Sequence, residues 1–250
     1  MKLENRVCVI TGGGRDIGKS ISLKLAQEGA KLVINYYGSQ ESAEQTLSEV
    51  KAIGAEAILF RGDMSKPEEV QALVEKTKAT FGEKIDILVN VAGGLVARKT
   101  VDEMDPDFFD FVVRLNLTST FLLTKYVTPH MDSGSVIINF SSQAGRDGGG
   151  PGASAYATAK GAVMTFTRSM AKELGPKGIR VNSLCPGMIS TTFHDTFTKD
   201  EARKNVAGST PLRREGAPGE VADAVAYLAS DEASFLTGVN LDINGGLLFS

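Results

Sequence analysis

The chain has 250 residues, with 27 Lys+Arg against 30 Asp+Glu for a formal charge of −3, and 42% of its residues are hydrophobic. This near-neutral balance, without a basic block, argues against a nucleic-acid grip, and no apolar run approaches the ~18 residues of a membrane span. The two histidines and two cysteines (His130, His194, Cys8 and Cys185) form no sequence cluster, which excludes a structural zinc site.

Met1 to Arg6 lead directly into an apolar run at Val7–Ile10, the pattern of a first strand rather than of a signal peptide. Thr11-Gly12-Gly13-Gly14-Arg15-Asp16-Ile17-Gly18 follows it and opens a helix whose inward face is Ile17, Ile21, Leu25 and Ala26. A glycine turn between a strand and a helix N-terminus is where a pyrophosphate fits, because unpaired N–H groups and the helix dipole attract anions there. Gly29 is placed to end that helix. The second strand, Leu32–Ile34, runs out through Asn35-Tyr36-Tyr37 without a carboxylate. Gly54 ends the next helix, and the third strand, Ala57–Phe60, precedes Asp63-Met64. Ser65-Lys66-Pro67-Glu68 reads as a capping box, with Ser65 as N-cap, for the helix carrying Val70, Leu73, Val74 and Phe81, which Gly82 ends.

The fourth strand, Ile85–Val89, leads into Asn90-Val91-Ala92-Gly93 and then a loop carrying Arg98 and Lys99. Asp105-Pro106 opens a helix whose continuation holds Asn116 among apolar neighbours. The fifth strand, Ser135–Phe140, delivers Ser142 and Gln143 to the carboxyl edge of the sheet, followed by a glycine-rich loop with Arg146. Tyr156 and Lys160, four apart, share a helix face, where an ammonium would lower the phenol pKa toward working pH. Gly175-Pro176 is placed to end that helix. Val181–Leu184 forms a sixth strand, and Pro186-Gly187-Met188-Ile189-Ser190-Thr191 follows it. The polar, weakly patterned segment from about 190 to 211, with His194, reads as a mobile lid. Buried strands alternating with helices predict one α/β domain over 1–250: a Rossmann-type, doubly wound parallel sheet of about seven strands with helices on both faces.

Taken together, these motifs resemble the short-chain dehydrogenase/reductase family, from about Arg6 to Gly246, nearest the 3-oxoacyl-carrier-protein reductase-like branch. Thr11, Gly12 and Gly18 match the Thr-Gly-x-x-x-Gly-x-Gly fingerprint, and Asp16 replaces its middle glycine. We read Asp16 as turning outward to cap the first helical turn. The resemblance implies a nicotinamide cofactor held by Gly12, Arg15, Asp16, Ile17, Gly18 and Tyr36, by Asp63 and Met64 at the adenine, and by Asn90, Ala92 and Gly93. On the nicotinamide side it implies Tyr156, Lys160, Pro186, Gly187, Ile189 and Thr191, the last at the carboxamide. Asn116, Ser142, Tyr156 and Lys160 match the family tetrad. Tyr156 is then the general acid or base, Lys160 lowers its pKa and binds the nicotinamide ribose, Ser142 polarises the carbonyl, and Asn116 holds a water.

NADPH is expected over NADH, because Arg15 is present and no carboxylate ends the second strand. Arg98, Gln143, Arg146 and His194, with Lys99 nearby, are expected at the substrate, where cations would take a carboxylate. A small polar keto compound such as a sugar-derived keto acid is therefore expected. The alternatives are a 3-oxoacyl-carrier-protein reductase, for which Lys172 offers thin docking support, and a non-catalytic nucleotide sensor or scaffold. The apolar tail Leu247-Leu248-Phe249 and the resemblance point to a homotetramer. Two reduced core cysteines fit a cytoplasmic protein without nucleic-acid or membrane partners.

Overall fold

Strands and helices alternate through residues 1–249, the part of the chain that the computed structural model describes. In order they are β1 (Val7–Thr11), α1 (Asp16–Gln27), β2 (Lys31–Tyr36), α2 (Gln40–Ala52), β3 (Ala57–Arg61), α3 (Pro67–Phe81) and β4 (Ile87–Asn90). After these come α4 (Pro106–Val113), α5 (Ser119–Val127), β5 (Val136–Phe140), α6 (Ala144–Asp147), α7 (Ser154–Leu174) and β6 (Arg180–Pro186). The chain closes with α8 (Thr192–Phe197), α9 (Asp200–Ser209), α10 (Pro218–Ala229) and β7 (Asn240–Ile243). All the strand pairs are parallel, in the order β3-β2-β1-β4-β5-β6-β7. Chain order reverses between β1 and β4, so a crevice opens at their carboxyl ends.

The central strands are mostly apolar because both faces of the sheet are covered. Cys8, Ile10, Leu32, Ile34, Ile87 and Val89 point to one side, against Ile21 and Leu25 of α1 and Val221 and Val225 of α10. Val9, Val33, Leu88 and Ile137 alternate with them and meet Leu73 of α3, Leu123 of α5 and Leu174 of α7. Each fully buried Leu or Ile contributes about 1.5–3 kcal/mol, so this two-sided burial holds the strand ends in place. Cys8 and Cys185 are buried and unpaired. Among the described residues no helix is long and apolar enough to cross a membrane.

Local punctuation departs from the sequence reading in three places. The N-cap of α3 is Lys66, not Ser65. Ser65 instead donates to the Asp63 carboxylate, and it is Glu69, not Glu68, that reaches back, accepting the Asp63 N–H at 2.7 Å. Helix α7 passes into a short 3-10 turn at Gly175–Lys177, and Gly178 takes the left-handed cap at φ 75°. The segment from 190 to 211 is largely helical, as α8 and α9. The Asp105 cap is as expected, its carboxylate accepting the Phe108 N–H at 2.8 Å.

Candidate active site

The crevice has a volume of about 940 Å³, at the upper end of the range for small-molecule sites. Its nucleotide end is the turn between β1 and α1. Ser22 Oγ donates to the Gly13 carbonyl at 2.9 Å and Thr46 Oγ1 to the Gly14 carbonyl at 2.8 Å. With those carbonyls tied back into the protein, Gly12, Arg15, Asp16, Ile17 and Gly18 line the crevice at the positive end of α1. A Cβ on Gly18 would lie 2.0 Å from the Gly12 carbonyl oxygen, so only glycine lets the helix approach its own turn. Asn35, a residue to which the sequence reading gave no role, ties the turn to the end of β3: its side-chain NH2 donates to the Gly62 carbonyl at 3.0 Å while its main-chain carbonyl accepts the Gly13 N–H.

Asp16 does not cap α1. Its backbone is left-handed at φ 49°, the conformation for which the family fingerprint uses glycine and which Asp tolerates better than most residues. From there its carboxylate crosses the crevice mouth and accepts the Thr192 N–H at 3.1 Å and the Thr192 hydroxyl at 2.6 Å. Arg15 stays mostly exposed, its Nε 3.8 Å from Asp16. Tyr36, Asp63 and Met64 line the far end, with Asp63 held by the Ser65 N–H and hydroxyl. Ala92 and Gly93 line the wall, whereas Asn90 lies behind it, donating to Asn139 at 2.9 Å.

At the other end, β5 carries Ser142 to the rim, and the first turns of α7 bring Tyr156 and Lys160 to the same wall. The spacing is fixed by backbone contact. A Cβ on Gly145 would stand 2.8 Å from the Gly161 nitrogen, and Ser141 Oγ donates to the Lys160 carbonyl at 2.7 Å. Lys160 is buried, and its ammonium has one protein acceptor, the Phe140 carbonyl at 2.7 Å, which leaves donors facing the crevice. Burial lowers its pKa to about 8. The expected depression of the Tyr156 phenol is not present. Burial of the hydroxyl raises its pKa, the neighbouring Ser142 hydroxyl opposes this only in part, and the ammonium lies 5.7 Å from the ring centre.

Asn116 sits beneath this wall in a π-helical turn, Arg114–Thr118, a distortion frequent at functional sites. Its amide accepts the Gly94 N–H at 3.0 Å and donates to the Gly94 and Val112 carbonyls, both at 2.9 Å. It therefore shapes the β4 loop, and its NH2 group is not left over for the expected water.

The substrate-side cations are mostly committed elsewhere. Arg146 points away from the crevice, to Asp242 at 2.6 Å and the Asn240 carbonyl, because its neighbour β7 presents those acceptors. Lys99 pairs with Asp105 at 3.0 Å and lies over Phe108. Arg98 lines the crevice, but its guanidinium braces the Pro151 and Phe197 carbonyls at 3.0 and 3.3 Å. His194 also lines it, yet burial first and Arg203 second lower its pKa, so it is a neutral imidazole at pH 7 rather than a cation. Gln143 lines the wall with a buried, unpartnered Oε1. Pro186, Gly187, Ile189 and Thr191 form the remaining floor. Phe193 and Phe197, which the sequence reading left out, line the crevice from α8.

Residues 12–248 match a family model described as enoyl-(acyl carrier protein) reductase. The chain is 36% identical to versicolorin reductase stcU of Emericella nidulans, with 98% of this chain and 96% of the relative covered. It is also 36% identical to the 3-oxoacyl-[acyl-carrier-protein] reductase FabG of Staphylococcus aureus, with 96% of each covered. The chain belongs to the short-chain dehydrogenase/reductase family. Among solved structures, a short-chain dehydrogenase/reductase from Serratia marcescens superposes with a TM-score of 0.93 at 32% identity, with 99% of each chain covered. A short-chain dehydrogenase from Burkholderia cenocepacia in complex with NADP gives 0.92 at 29% identity, also over 99% of each. NADH-dependent reductase A1-R′, described as responsible for alginate metabolism, gives 0.90 at 32% identity over 99% of each.

Family membership makes this chain an NAD(P)-dependent oxidoreductase acting on CH–OH and C=O groups. The short-chain reductase site fits a nicotinamide cofactor on structural grounds: a helix N-terminus that only glycine can approach, and a buried ammonium with donors to spare. The Asp16 carboxylate is turned to Thr192 and bonds to no N–H of the glycine turn.

Proposed function

We propose that the protein is a carbonyl reductase in which Tyr156 gives its proton to the carbonyl oxygen as the alcohol forms. A bound nicotinamide supplies the hydride; the chain supplies the proton, the orientation and exclusion of water. A phenol whose pKa is raised by burial is protonated at neutral pH, which suits it to donate in reduction. Ser142 is placed to hydrogen-bond the developing oxyanion. Lys160 would hold the nicotinamide ribose with its free donors, and Asn116 acts as a positioning residue through Gly94. Helices α8 and α9 serve as the lid, braced by Arg203 to Glu215 at 2.6 Å and to Asp195.

The observation that carries this reading is the Tyr156–Lys160 pair on the α7 face at the carboxyl rim, beside Ser142. Family membership and the relatives' printed activities favour an enzyme over a sensor. NADPH is the proposed cofactor, because Arg15 is exposed beside the turn and β2 ends at Tyr36 without a carboxylate. A homotetramer accounts for the half-exposed Phe111 of α4 and Phe121 of α5, and for the exposed Phe235 and Phe249. Buried free thiols suit a cytoplasmic setting. The expected keto-acid substrate keeps only Arg98 as its basis, since Lys99 and Arg146 are paired and His194 is neutral.

Loss of reduced-nicotinamide absorbance in a carbonyl screen, run separately with NADPH and NADH, tests the proposal. Turnover with a higher kcat/KM for NADPH is expected. Binding of cofactor without turnover of any carbonyl favours the sensor reading, and a strong NADH preference overturns the cofactor assignment.

A further inference from the structure

Among Thr192, His194 and Thr196, the α8 side of the crevice carries an aromatic patch. The Phe193 and Phe197 ring centres lie 5.2 Å apart, and Phe193 lies 6.2 Å from the Tyr156 ring, so aromatic surface runs unbroken from the phenol along α8. Leu95, Val96, Leu115 and Val206 continue this wall from three other segments. The glycine-rich loop that carries Arg146 offers little apolar surface; the lid supplies what that loop lacks. Charge is scarce on the same wall. Arg98 spends two of its five donors on main-chain carbonyls and keeps its charge and its other donors, and Arg203 is held by Glu215 and Asp195. A carboxylate moved onto the Phe193–Phe197 rings themselves would give up its water for hydrocarbon, a cost that an uncharged ring does not carry. Aromatic rings in contact gain more than their buried area alone supplies.

We infer that the preferred substrate is a carbonyl compound built on an aromatic ring system, held by the Phe193–Phe197 face so that its carbonyl reaches Tyr156 and Ser142. This rests on the carbonyl-reductase reading above. It separates the substrate from both a sugar-derived keto acid and a short aliphatic ketone. Phe197 is then a specificity-determining residue, acting through KM.

The experiment compares kcat/KM for three probes with saturating cofactor: 2-tetralone, which is uncharged and aromatic; ethyl acetoacetate, uncharged and short; and 5-ketogluconate, an anionic keto-sugar. For 2-tetralone we expect an advantage of about tenfold or more, since each buried carbon contributes close to a factor of four. Phe197→Ala should lower kcat/KM for 2-tetralone by about three- to tenfold, through KM, with recovery in Phe197→Tyr. A higher kcat/KM for 5-ketogluconate or ethyl acetoacetate overturns the inference while leaving the reductase reading intact. An unchanged KM for 2-tetralone in a folded Phe197→Ala protein overturns it as well. The wild-type comparison decides the matter even if Phe197→Ala does not fold. If none of the three probes is turned over, the reductase reading itself fails and this inference goes with it.

Discussion

Replacing Asp16 separates two effects that the structure superimposes at one residue. The left-handed backbone at φ 49° costs a residue bearing a Cβ about 1–2 kcal/mol relative to glycine. Against that, the carboxylate takes two hydrogen bonds from Thr192, at 3.1 and 2.6 Å. Bonds to a charged group contribute about 1.5–3 kcal/mol when buried, but this side chain is 23% exposed, so about 1–2 kcal/mol for the pair is the reasonable scale. Asp16→Ala keeps the backbone cost and loses the clasp. Asp16→Gly loses the clasp but also the cost. In a chain of this length 1 kcal/mol shifts Tm by about 2–4 °C, so Asp16→Ala should melt about 2–8 °C below wild type and Asp16→Gly close to it. Calorimetry on the cofactor-free protein reads this difference, and hydrogen exchange at the Thr192 amide should accelerate in both variants. Both variants also remove a negative charge from the phosphate turn, so neither should weaken cofactor binding. If the two variants melt together, or if Thr192 exchange does not change, the clasp as described is wrong.

Lys160 carries a pH signature. The drop of its pKa from 10.5 to about 8 corresponds to about 3 kcal/mol against the charged form. The unfolded chain keeps this proton up to pH ~10.5 while the folded chain loses it near 8, so wild-type stability gains from Lys160 as pH rises through that window. Lys160→Met lacks both the penalty and the gain. It should be the more stable protein in urea at pH 7, by up to about 3 kcal/mol less the lost Phe140 bond, with the margin closing by pH 10; a margin independent of pH contradicts this. Gly18→Ala forces a Cβ to 2.0 Å from a backbone oxygen that cannot move away. Expected are a loss of about 2–4 kcal/mol by denaturation and no enhancement of reduced-nicotinamide fluorescence on mixing.

The sheet was legible because its strands are buried on both faces and so read as plain Val/Ile runs, bounded by glycines at Gly29, Gly54 and Gly82 that do take positive φ. Elements defined by side-chain choice among near-equals were not. Whether Glu68 or Glu69 reaches back to Asp63 depends on where Lys66 and Pro67 start the helix. Tyr156, Lys160 and Ser142 converge as their motifs imply, but the electrostatics did not follow from spacing. Four residues of helix bring two groups to one face without saying which acceptor the ammonium chooses, and here it is the Phe140 carbonyl. Arg146 was misplaced because its partner, Asp242, lies on β7, whose packing no local pattern discloses. Lys99 finds its partner, Asp105, only six residues on. Asp16 turning to Thr192 bridges 176 residues of sequence, beyond the reach of a capping rule.

Tyr156→Phe is the most direct test. It removes one oxygen, leaves the ring against Phe193, and touches none of the groups that hold the nucleotide turn. Titration with NADPH followed by single-turnover reduction of a ketone that the wild type accepts should show cofactor affinity within about twofold of wild type, with the chemical step slowed by at least the ~10²–10⁴ of a missing general acid. Reduction at near wild-type rate would show that the proton comes from elsewhere and contradict the account.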